Sequence, residues 1–75
     1  MRNGFDYMGF GLRLYSLRDE RGWTLERAAA KIGCAYCSLS VWESGKQAPQ
    51  LKHIVNICKV YNVSADWLLG VADCG

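Results

Sequence analysis

The sequence predicts an all-α domain of five short helices, and three observations carry that prediction. Apolar residues recur three and four positions apart, as in Phe10, Leu14 and Leu17, rather than alternating as they would in a strand. The apolar segments are punctuated by Gly22, Gly33, Gly45, Asn62 and Gly70, residues that stop helices, and Thr24 and Ser64 stand where new helices would need caps. There is one proline and little β-branched clustering. Seventy-five residues allow one domain with one small core. Half of them are apolar, including three Trp, four Tyr and two Phe, which is not a disordered composition. The domain is expected to fill the chain, residues 1–75, with its core over about 10–70, leaving the first eight or so residues and the VADCG end as loose termini.

The first helix is expected from about Phe10 to Arg21, stopped by Gly22. Thr24 can cap a second helix by accepting a backbone N–H, and Leu25, Ala28, Ala29 and Ile32 give it an apolar face that Gly33 closes. The third runs from Tyr36 to Ser44, with Leu39 and Trp42 on its buried side and Gly45 as its stop. Pro49 and Gln50 mark a restart. Leu51, Ile54, Val55, Cys58 and Tyr61 form the stripe of a fourth helix ending at Asn62. Ser64 caps a short fifth helix carrying Trp67 and Leu68, which ends at Gly70. Trp23, Trp42 and Trp67 lie in phase with aliphatic neighbours and are assigned to the core rather than to a stacking platform.

Charge and chemistry narrow the function classes. A formal charge of +2 permits an anionic partner without requiring one. Apolar runs are too short and too broken by charge for a membrane span, and the first residues lack the apolar stretch of a secretion signal. The four Cys are therefore expected as reduced thiols in a cytosol. Cys34-Ala-Tyr-Cys37 has the Cys-x-x-Cys spacing, but a zinc site needs about four ligands. Only Cys58, Cys74 and His53 remain to complete one, with no second Cys-x-x-Cys. A disulfide within the pair is disfavoured because one thiol should face the core and the other solvent. His53, beside Lys52, is expected at the surface. No Ser/His/Asp set, carboxylate pair or Gly-rich phosphate loop can be assembled, so no catalysis, cofactor, metal or small-molecule substrate is expected.

The middle of the chain is more specific. Ala29 precedes Gly33 by four residues; Leu39 follows six later and Trp42 three after that. Two steeply crossing helices need a small residue where they touch, which Ala29 supplies. Their tight turn needs a residue tolerant of positive φ, which Gly33 is. The second helix must then anchor through residues three apart, as Leu39 and Trp42 are. This is the specification of a helix-turn-helix.

With LYSLRDERGWT at Leu14–Thr24, AAAKIG at Ala28–Gly33, LSVWESGKQAP at Leu39–Pro49 and VYNVSADWLLG at Val60–Gly70, the chain resembles the Cro/C1-type helix-turn-helix family of phage-repressor-like DNA-binding domains. The resemblance covers about Phe10 to Gly70. It implies a lambda-repressor-like fold and a DNA-binding transcriptional regulator, repressor-like, that binds a palindromic operator in double-stranded DNA as a homodimer, with the third helix in the major groove. It assigns Tyr36, Cys37, Ser40 and Val41 to base edges, and Thr24, Leu25, Ser44, Lys46 and Gln47 to phosphates. It pairs Arg18 with Glu43 inside the domain and places the protein in a bacterial or phage-infected cytoplasm.

Three residues depart from the family pattern. Leu25 replaces the usual Gln, Ala35 the usual Ser or Thr cap, and Val41 the common Arg, Lys or Gln. The base-facing set therefore lacks side chains for bidentate readout and favours contact with thymine methyls through Val41. That apolar set also keeps open an alternative, in which the helix-turn-helix serves protein contacts as an antitoxin-like or regulatory module.

Overall fold

The computed structural model describes residues 5–71. The expected loose ends at residues 1–4 and 72–75, and Cys74 among them, lie outside the described residues. Among the described residues there are five helices and no strand: α1 Tyr7–Arg21, α2 Leu25–Ile32, α3 Tyr36–Glu43, α4 Leu51–Tyr61 and α5 Ala65–Leu69.

Local chemistry accounts for the boundaries. Thr24 and Ser64 accept the N–H groups of Arg27 and Trp67, three residues on, and so cap α2 and α5. Gly22, Gly33, Asn62 and Gly70 close α1, α2, α4 and α5 in the left-handed conformation. Helix α1 starts three residues before the expected Phe10, because Asp6 accepts the N–H of Gly9 at 3.0 Å and provides a cap. Tyr7 and Met8, expected in a loose end, are helical.

The core gathers Phe10, Leu14 and Leu17 of α1, Ala28, Ala29 and Ile32 of α2, Leu39 and Trp42 of α3, Ile57 and Tyr61 of α4, and Leu68 of α5. Each fully buried Leu, Ile or Phe contributes roughly 1.5–3 kcal/mol. The face of α4 differs from expectation. Leu51 is 75% exposed and Val55 is exposed too, whereas Ile57 is fully buried. Leu51, Ile54, Val55 and Cys58 instead line a shallow apolar groove of about 440 Å³ shared with Val63, Ala65 and Leu69.

The tryptophans separate as well. Trp42 is core, and Trp23 is half-buried and stacks on Tyr61 at 5.6 Å, but Trp67 is exposed. Trp67 sits next to Leu68, and only one of two adjacent residues on a single-turn helix can face inward. His53, expected at the surface, is half-buried with its ring 5.2 Å from Trp42.

Candidate nucleic-acid interface

Helix α3 is held from behind and open in front. Ala29, 2% exposed, lets α2 approach, and Gly33 turns the chain at φ 90°. The N–H groups of Gly33 and Cys34 both donate to the Ala29 carbonyl. Leu39 and Trp42 then seat α3 in the core, one turn apart. Tyr36, Cys37 and Ser40 are exposed on the opposite side, and Val41 is half-buried.

A second anchor lies at the far end of α3. Arg18 donates from Nε to Glu43 Oε2 at 2.8 Å and from Nη2 to Glu43 Oε1 at 2.9 Å. Its Nη1 donates to the Trp23 carbonyl at 2.9 Å. The side chains are 16% and 9% exposed, so the pair is largely removed from water. The hydrogen bond to Glu43 raises the Arg18 pKa above its ordinary value, against the cost of burial. The pair ties α1 to α3 and neutralises a carboxylate beside the exposed face.

The assigned phosphate residues fall into three groups. Lys46 and Gln47 are exposed in the segment after α3. Ser44 is exposed, but its hydroxyl donates back to the Val41 carbonyl at 2.7 Å. Thr24 is exposed with its hydroxyl engaged as the cap of α2. Leu25 packs against the core, so its side chain offers nothing to a phosphate and only its main-chain N–H remains for that role.

One feature was only half seen in the sequence, where Ala35 was noted as a missing cap but Gln50 was not. Asp6, Thr24 and Ser64 cap α1, α2 and α5 with side-chain hydrogen bonds, whereas α3 and α4 begin at Ala35 and Gln50 with none. Neither α3 nor α4 has an acidic residue in its first turn, and α4 carries Lys52 there. Helix starts of this kind leave N–H groups and a partial positive charge for an outside acceptor. The sequence signal was available, since both Ala35 and Gln50 are poor caps.

The three described cysteines form no metal-binding group with other His, Cys, Asp or Glu among the described residues. Cys34 and Cys58 are half-buried, and burial pushes both thiols up from their ordinary pKa; Cys37 is exposed. Among the described residues no helix is long and apolar enough to cross a membrane.

Comparison with known proteins agrees with this geometry. The chain matches the helix-turn-helix family HTH_3 over residues 14–68. It is 38% identical over 61 residues to the uncharacterized HTH-type transcriptional regulator YobD of Bacillus subtilis, covering 81% of this chain and 54% of that protein. It is 35% identical over 63 residues to the HTH-type transcriptional regulator ImmR of the same organism, covering 84% and 50%. The chain thus spans about half the length of these curated relatives.

Among solved structures, the biofilm regulator SinR in complex with DNA is 33% identical, with a TM-score of 0.74 over 80% of this chain and 97% of that one. The P22 c2 repressor in complex with a synthetic operator has a TM-score of 0.79 over 83% and 94%; at 21% identity it shows the fold alone. The family match spans the whole helix-turn-helix and most of the helices that carry it, and the chain belongs to the helix-turn-helix family.

Proposed function

We propose that this chain is the DNA-binding domain of a non-enzymatic transcriptional regulator of the cytoplasm, repressor-like, that binds a palindromic operator in double-stranded DNA as a homodimer. The observation that carries this reading is the two-sidedness of α3. Leu39, Trp42 and Glu43 fix it to the body, while Tyr36, Cys37 and Ser40 stand free in front and Lys46 and Gln47 follow in the next segment. A helix so held can enter a major groove with its N-terminal side chains at base edges. Lys46, the uncapped starts of α3 and α4, and the main-chain N–H of Leu25 then suit phosphates. The relatives carry the names of transcriptional regulators, one of them an activator, and support the regulator part of this reading.

The base-facing set is small and apolar, so specificity is expected to be modest and to use thymine methyls. The test is selection of bound sequences from a random duplex pool, followed by titration of the recovered duplex at two salt concentrations. A palindrome with a steep salt slope is the expected result. No enrichment, with salt-insensitive binding, would favour a module for protein contacts instead.

A further inference from the structure

Glycine weakens the interior of a helix, so one held in mid-helix calls for a physical reason. Gly11 sits in α1, and it is buried. A Cβ placed on it would lie 2.5 Å from the Glu43 carbonyl oxygen and 2.8 Å from that of Trp42. These are main-chain atoms of the last turn of α3, which cannot swing aside as a side chain could. Ordinary carbon–oxygen contacts lie at about 3.3–3.6 Å, so any larger residue would push the two helices apart by about 0.8–1 Å.

The same side of α1 touches α3 and the segment after it at two further points. A Cβ on Gly45 would lie 2.7 Å from Met8 Sδ and 3.2 Å from Met8 Cα, so α1 also presses closely on the turn that follows α3. Arg18 holds the Glu43 carboxylate seven residues further along α1. Met8, Gly11 and Arg18 recur at helical spacing on one stripe, and all three meet the C-terminal end of α3 or the turn beyond it.

We infer that Gly11 is a positioning residue for the DNA-reading helix: its missing side chain lets α1 seat against the Trp42 and Glu43 carbonyls and so sets where α3 and the Ser44–Gln47 segment are presented. This rests on the DNA-binding reading above. The proposal concerns placement rather than cohesion. Alanine at position 11 would improve the intrinsic helicity of α1 while displacing α3 and its loop, so stability and binding need not change together.

The experiment compares Gly11→Ala with Leu69→Ala, a half-buried residue of α5, at a temperature where circular dichroism shows both variants fully folded. The probes are the duplex that the unmodified chain selects from a random pool and a scrambled duplex of equal length. Gly11→Ala is expected to lose at least about tenfold on the selected duplex, with a smaller loss on the scrambled one, while Leu69→Ala stays within about twofold. Amide NMR shifts of Gly11→Ala should change across residues 36–47 more than across α5. Affinity and selectivity unchanged in folded Gly11→Ala, or shifts no larger in α3 than in α5, would overturn the inference.

Should Gly11→Ala not fold, Met8→Ala loosens the same junction without a clash. A loss of about threefold on the selected duplex supports positioning, and an unchanged affinity overturns it. If the unmodified chain itself retains no duplex, the DNA-binding reading has failed and this inference falls with it. If it binds and Gly11→Ala binds equally well, only the role of Gly11 is lost.

Discussion

Replacing Arg18 by alanine removes three donors in one step. Two serve the Glu43 carboxylate at 2.8 and 2.9 Å, and one serves the Trp23 carbonyl at 2.9 Å. Breaking a buried pair by deleting one partner costs about 3–5 kcal/mol, because the remaining charge is left desolvated. The side chains here are 16% and 9% exposed, so some water can reach the stranded carboxylate and the lower end, about 3 kcal/mol, applies.

A domain of 75 residues has a total stability of about 4–11 kcal/mol at ~0.05–0.15 kcal/mol per residue. The loss is therefore a large share of it. At about 4–8 °C per kcal/mol for a chain of this size, the melting temperature should fall by roughly 12–24 °C. Thermal melts followed by circular dichroism measure it, with Glu43→Ala and the double variant completing a cycle. The double variant should be less destabilised than the sum of the singles by at least about 1 kcal/mol, since the second deletion removes a charge already stranded. A shift below about 4 °C for Arg18→Ala, or strict additivity in the cycle, would refute the reasoning and return both residues to solvent.

Three other outcomes are expected. Ala35→Ser should stabilise by about 1 kcal/mol in chemical denaturation, because Ala35 already has the extended conformation of a cap and α3 has no side-chain cap bond; a neutral result would mean the new hydroxyl fails to reach its N–H. Burial pushes the Tyr61 hydroxyl up to about 12 from 10.0, so an unfolded chain ionises first as pH rises. Stability should be untouched below pH 10 and should drop by about 2–3 kcal/mol between 10 and 12, and a pH series of melts should show Tyr61→Phe removing most of that drop. Lys46→Ala should weaken binding to every duplex by a similar factor and lower the salt slope by roughly one per protomer, whereas an unchanged slope takes Lys46 out of the interface.

Helix ends were the most legible part of this chain. Gly22, Gly33, Asn62 and Gly70 take the left-handed conformation that favours those residue types, and Thr24 and Ser64 make the cap bonds their side chains suit. The start of α1 was read three residues late, because the apolar periodicity begins at Phe10 while the cap, Asp6, lies ahead of it. Gly9 sits beside its cap and Gly11 answers to a tertiary contact that no local pattern records. Helix α4 misled for another reason. It carries apolar residues on more than one face, and periodicity cannot say which of them meets the core. The outward placement of Tyr36, Cys37, Ser40 and Lys46 was what the family resemblance implied, and all four are exposed, whereas the inward turn of Leu25 depended on what lay beneath it.

The two-sided build of α3 has an evolutionary consequence. Within α3 itself the side chains that hold the helix in place are Leu39, Trp42 and Glu43, and the exposed Tyr36, Cys37 and Ser40 contribute little to that hold. Substitutions at such exposed sites typically alter stability by no more than about 0.5 kcal/mol. Variation can therefore run through many side chains at these three positions while the scaffold beneath them is left alone. On the DNA-binding reading, a new target sequence is then within reach of one or two codon changes, and the same body can serve a lineage of regulators that answer to different sites.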